Sequence, residues 1–170
     1  MSLSMYQASV PVLVQFLNGL SNVLEHGKSH ALAKKIDPAV LLATRLFPDM
    51  FPLGRQVRAA TDHALVAGRL AGVELPKLAE ADGSFDELRD RIAKTVDFLK
   101  GLNAAQVDGT EDKEITIPMG SGTRSFKGHA LLLGFALPNF YFHTTTAYAI
   151  LRHCGVEIGK RDFMGMPRPT

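Results

Sequence analysis

The chain has 170 residues, 46% of them hydrophobic and 21% charged, with a formal net charge of +2. That length suits one domain with a substantial core. Nineteen basic and seventeen acidic residues, scattered without a patch, argue against a nucleic-acid partner. The apolar content excludes a disordered chain. A single cysteine excludes an intrachain disulfide or a Cys-rich metal site and fits a reducing compartment.

The opening stretch, MSLSMYQASVPVLVQFLNGL, lacks the basic start of a signal peptide, and Gln7, Ser9, Gln15 and Asn18 interrupt it too often for a membrane span. A cytoplasmic protein without membrane association is expected. Tyr6, Val10, Leu13, Leu17, Leu20 and Leu24 recur at spacings of three and four, which predicts a helix over 3–26. Pro11 should kink it or delay its start, and Gly27 should end it. A short helix follows, with Asp37 as N-cap and Pro38 as its first residue.

A second long helix is predicted over 53–73. Its small residues Ala60, Ala64, Ala67, Gly68 and Ala71 mark a close helix–helix contact. LPKLAEADGS is a surface connection, and Ser84 with Glu87 forms the capping box of a third helix over 84–101. Phe85, Leu88, Ile92, Thr95, Val96 and Leu99 face inward. After Gly101 the period changes: KEITIPM alternates, GSG turns and TRSFKG resumes, which predicts a β-hairpin. The last helix spans 128–154, and Phe163 and Met164 of the tail should pack back on the bundle. No repeat or second domain is visible. The expected architecture is all-α, a single four-helix bundle over 1–170 with a small hairpin before the last helix.

PNFYFHTTTAYAILRHCG, residues 138–155, carries two of the six histidines and the cysteine. At about 100° and 1.5 Å per residue, His143 and His153 diverge by roughly 80° and stand about 15 Å apart along the axis. One straight helix cannot bring both to one metal. His143 shares a stripe with Ala136, Phe140, Ala147, Ile150 and Cys154 and so points into the core, with Asn139 one turn earlier as a support. His153 beside Arg152 suits a helix C-terminus. His63, on an edge with Gln56, Ala60, Ala67 and Leu70, is a second inward candidate, and the two imidazoles could meet inside the bundle. Asp62 is either a solvated charge or an orienting partner of His63.

The remaining residues invite less chemistry. His26 and His30 flank a loop and His129 opens a helix. GSG at 120–122 lacks the strand-to-helix setting and lysine of a phosphate loop. Cys154 reads as packing, and the hydroxyls of Thr144, Thr145 and Thr146 as bonds back to helix carbonyls. Tyr6 lies on the first apolar stripe, where its phenol needs a polar partner.

SMYQASVP, TDHALVAGRLAG and NFYFHTTTAYAILRHCG followed by GKRDFMG, in this order along nearly the whole chain, resemble a domain-of-unknown-function branch of the DinB/YfiT-like superfamily. The resemblance implies an up-down four-helix bundle and a homodimer. Better-studied members of that superfamily hold a divalent metal, zinc or nickel, with three histidines: one late in the second helix and an H-x-x-x-H pair on the last. Some are thiol-dependent transferases or hydrolases. His63 takes the first position and His143 the second. The third falls on Ala147, which cannot bind metal.

The sequence therefore supports a DinB-like bundle with a degenerate metal pocket lined by Tyr6, His63, Asn139 and His143, binding a small molecule. A metal-dependent hydrolase or thiol transferase with His63 and His143 as ligands is the alternative, and it needs a third ligand from elsewhere. A structural dimerisation module is the third reading.

Overall fold

The computed structural model describes residues 3–166. Helix α1 spans Met5–Lys34 and opens on a reciprocal box in which the Ser4 hydroxyl accepts from the Gln7 N–H and the Gln7 side chain accepts from the Ser4 N–H. Pro11 sits inside α1, on its exposed side, where water can satisfy the carbonyl left without a donor. The expected stop at Gly27 is overturned. A Cβ on Gly27 would meet Leu151 at 3.0 Å and Phe85 at 3.1 Å, so the glycine serves close packing and the helix continues to Lys34, about two turns further. Its end is at Lys35, in the left-handed region with φ 55°. His26 and His30 accordingly lie within the helix, and His26 Nδ1 donates to the carbonyl of Asn22.

Helix α2, Pro38–Ala43, starts as predicted, with Asp37 accepting from the Ala39 N–H. The second long helix is broken in two, α3 at Leu53–Ala64 and α4 at Val66–Ala71, with Leu65 (ψ 0°) between them. Ala60, Ala64, Ala67 and Gly68 are buried. Ala60 and Ala64 lie on α3, which makes extensive contact with the last helix. Gly68 leaves room for Phe98, whose ring a Cβ there would meet at 2.6 Å. Helix α5, Phe85–Lys100, is capped by Ser84, whose hydroxyl accepts from the Glu87 N–H at 3.1 Å; the reciprocal half of the expected box is not formed. A single turn, α6 at Ala104–Val107, leads to the hairpin.

Strands β1, Glu114–Met119, and β2, Gly122–Lys127, pair antiparallel in the register Met119↔Gly122. Their two-residue turn is Gly120-Ser121, with Gly120 at φ 59°, as glycine-first hairpin loops require. Ile115 and Ile117 face the bundle while Glu114, Thr116 and Pro118 face out. The last helix begins with a π-helical segment, Ala130–Ala136, before α7 at Leu137–His153. Pro138 has no N–H and its ring would crowd the carbonyl one turn back; the wider π turn, closed by Leu137 N–H to the Leu132 carbonyl, relieves that crowding.

The tail forms one more turn, α8 at Lys160–Phe163. As expected, Phe163 packs back, edge-on to Phe16 and Tyr148 at 5.3 and 5.8 Å. Gln15 Nε2 also donates to the Met164 carbonyl at 2.9 Å. The two C-terminal prolines lie outside the described residues. The long elements close an up-down four-helix bundle in which α1 packs chiefly on α5, and α3 on α7. Leu13, Leu17, Leu24, Leu53, Leu88, Leu99, Phe140 and Ile150 form its fully buried centre. Among the described residues no helix is long and apolar enough to cross a membrane.

Candidate functional site

The contact between α3 and α7 carries two imidazoles. His63, in the last turn of α3, stacks on His143 of α7 with ring centroids 5.6 Å apart and planes within 13°. Phe51, from the loop before α3, continues the stack on the other ring at 6.2 Å and 10°. Phe142 closes on His143 edge-on at 5.2 Å, and Phe135 of the π segment on His63 at 5.5 Å.

One hydrogen bond determines the tautomer of His143. Gln56 Nε2 donates to the Phe51 carbonyl at 3.1 Å; a carbonyl only accepts, so the amide nitrogen must face it. Oε1 of Gln56 therefore points to His143 Nδ1 at 2.7 Å, and Nδ1 carries the proton. Nε2 of His143 keeps a free lone pair. Burial, followed by the neighbouring His63, lowers the pKa of His143 to about 4, with Asp62 acting in the opposite direction. Burial and then the Arg69 guanidinium also lower that of His63. The stack is neutral at physiological pH.

Asp62 turns out to have another partner. Arg91 of α5, 5% exposed, donates through Nη2 to Asp62, through Nε to the Thr61 hydroxyl at 2.6 Å, and through Nη1 to the Ala79 carbonyl. The carboxylate thus belongs to a clamp that ties α3 to α5 and to the connection before it. It does not orient His63.

His63 also lines a cavity of about 160 Å³. Val66, Ile117, Leu131 and Phe135 supply apolar walls, contributed by α4, β1 and the π segment, while Asp62 and Arg69 stand at its polar side. The expected pocket is thereby redistributed. His63 and His143 meet, but only His63 reaches the cavity. Asn139 spends its Nδ2 on the Phe135 carbonyl at 2.7 Å. Tyr6 lies on α1 with its N–H on Asp108 Oδ1 at 2.7 Å, and it lines no part of the cavity.

The donor set does not fit a divalent metal. The His63 and His143 rings supply at most two nitrogens, whereas a zinc site takes three or four protein donors, nitrogens at about 2.0–2.1 Å. Nδ1 of His143 is committed to Gln56, so that ring could offer an ion only Nε2. Ala147 is fully buried and offers a methyl group. Among the described residues no three His, Cys, Asp or Glu side chains form a group that could hold a metal ion.

Gln56, Phe51, Arg91 and Phe135 were not assigned to the site by the sequence. Gln56 was legible in part, since seven residues before His63 is two helical turns and the same face. Arg91 was not, because a basic residue in an amphipathic helix is normally read as exposed. The other histidines remain outside: His129 Nδ1 donates to the Glu111 carbonyl at 2.8 Å, and His153 is exposed at the end of α7. Cys154 is partly buried against the core. The hydroxyls of Thr144 and Thr146 donate back to the carbonyls of Phe140 and Phe142.

Residues 5–164 match the family described as domain of unknown function (DUF1993). Among solved structures, the chain is similar to a DinB family member protein from Shewanella denitrificans, with 37% identity and a TM-score of 0.87. That likeness covers 97% of this chain and 94% of the other. No curated protein matches.

Proposed function

The chain belongs to the DUF1993 family, a branch of the DinB-like superfamily, and from that premise we propose that it binds a small molecule beside His63 without metal-dependent catalysis. The observation that carries this reading is the His63–His143 stack. The pair supplies two imidazoles where a zinc site takes at least three protein ligands, and the position one turn beyond His143 is Ala147. What remains of such a site is a neutral aromatic wall next to a cavity with convergent polar groups, a usual setting for a small ligand.

The test is elemental analysis of protein purified without chelator or histidine tag, beside His63→Ala and His143→Ala. The expected result is no stoichiometric zinc or nickel, even after incubation with their salts, together with ligand-induced NMR shifts that centre on His63. Near-stoichiometric metal lost in both variants would overturn the reading and restore a metal-dependent hydrolase or transferase.

A homodimer is a second reading, favoured by one feature. Phe47, Phe51 and Phe142 are 64%, 44% and 55% exposed; Phe51 and Phe142 both lie against His143, and neighbouring exposed apolar side chains are what an interaction surface presents. A second copy of the chain would cover them, and sedimentation equilibrium of wild type beside Phe142→Lys tests it.

A further inference from the structure

The cavity beside His63 has an asymmetric charge. Its two ionic groups are Asp62 and Arg69. Asp62 is neutralised by the Arg91 guanidinium. Arg69, on α4, is half-buried, and among the described residues no hydrogen bond or ion pair engages its guanidinium. Its charge instead faces His63, where it disfavours a second positive charge. A guanidinium beside an apolar wall with no protein partner is open to an anion, and a ligand that supplied one there would gain charge-assisted hydrogen bonds.

We infer that the cavity takes a small monocarboxylate with a compact apolar body, its carboxylate on Arg69 and its body against Phe135, Leu131, Val66 and Ile117. This rests on the reading of the cavity as a ligand site. The size follows from the volume: about 160 Å³ is close to that of an engineered cavity that holds one benzene ring. The carboxylate follows from the guanidinium, whose planar fork matches it in two parallel hydrogen bonds. Asp62 does not oppose this, because its charge is already spent on Arg91, and the ring of His63, neutral at physiological pH, can lie against the ligand without adding charge.

The experiment titrates the full-length protein with benzoate and, separately, with benzyl alcohol, which has a similar body and no charge. NMR follows the His63 ring and the methyl groups of Leu131 and Val66, in wild type and in Arg69→Gln. Benzoate should bind at least about tenfold more tightly than benzyl alcohol, and Arg69→Gln should erase that preference while leaving benzyl alcohol unaffected. Equal binding of both probes to wild type overturns the carboxylate assignment but leaves the cavity a ligand site. Binding of neither at millimolar concentration overturns both. The wild-type comparison decides the ligand class by itself, so the test survives if Arg69→Gln folds poorly.

Discussion

His143 on α7 donates its Nδ1 proton to Oε1 of Gln56 on α3, across 2.7 Å. The bond joins the two helices that carry the imidazole stack. Removing the acceptor in Gln56→Leu leaves a buried N–H unpaired, at a cost of about 1–3 kcal/mol. Gln56→Glu should instead retain the bond and add a negative charge, which raises the His143 pKa from its depressed value. Denaturant unfolding and the imidazole ¹⁵N shifts check the two outcomes, and an unprotonated Nδ1 in the wild type would contradict the tautomer.

The same depression makes stability depend on pH. The unfolded chain takes up a proton on this histidine near pH 6.5, whereas folded His143 resists until about 4. Stability is therefore complete above about pH 6.5 and falls as pH drops towards 4, by on the order of 2–3 kcal/mol. His63, shifted in the same direction, adds to the loss. His143→Gln removes one titrating group, so its unfolding free energy should vary less over this window than that of wild type. An identical slope in both would show that His143 is not the origin.

Arg91 and Asp62 should not be equivalent in mutation. Arg91 is buried and bonds to Thr61, Asp62 and the Ala79 carbonyl, whereas the Asp62 side chain is 59% exposed. Arg91→Ala removes the clamp and is expected to cost about 2–4 kcal/mol. Asp62→Asn leaves the other two bonds and a solvated amide, and should cost under about 1 kcal/mol. Thermal unfolding of the two variants measures the asymmetry, and equal losses would refute it.

Two glycines separate packing from docking. A Cβ at Gly68 meets the Phe98 ring at 2.6 Å and Leu75 at 2.7 Å. Gly68→Ala should therefore overpack the bundle by about 1–3 kcal/mol. A Cβ at Gly19 meets the Phe163 carbonyl oxygen at 2.6 Å and the Gly165 nitrogen at 2.9 Å. Because those are backbone atoms, Gly19→Ala should displace α8 and leave the bundle intact. Limited proteolysis should then cut near Lys160 and Arg161 in Gly19→Ala but not in Gly68→Ala; protection in both would count against the displacement.

Local chemistry alone determined much of this protein. The caps Asp37 and Ser84, the Gly120-Ser121 turn and the apolar stripes of α1, α5 and α7 each follow from a few neighbouring residues, and they place the four helices and the hairpin. The inward direction of His143 was legible in the same way. What depended on distant residues was not. Gly27 has the local signature of a helix end, yet Leu151 and Phe85 hold it in the middle of one. The burial of Arg91 against Ala79 and Thr61 and the pairing of Asp62 away from His63 both arise between segments separated in sequence. So does the stacking of His63 on His143. A sequence can say that two histidines point inward, because side-chain direction is a property of one helix. Whether their lone pairs converge on an ion or their faces pack together is decided by the relative rotation of two helices, which only the tertiary packing sets.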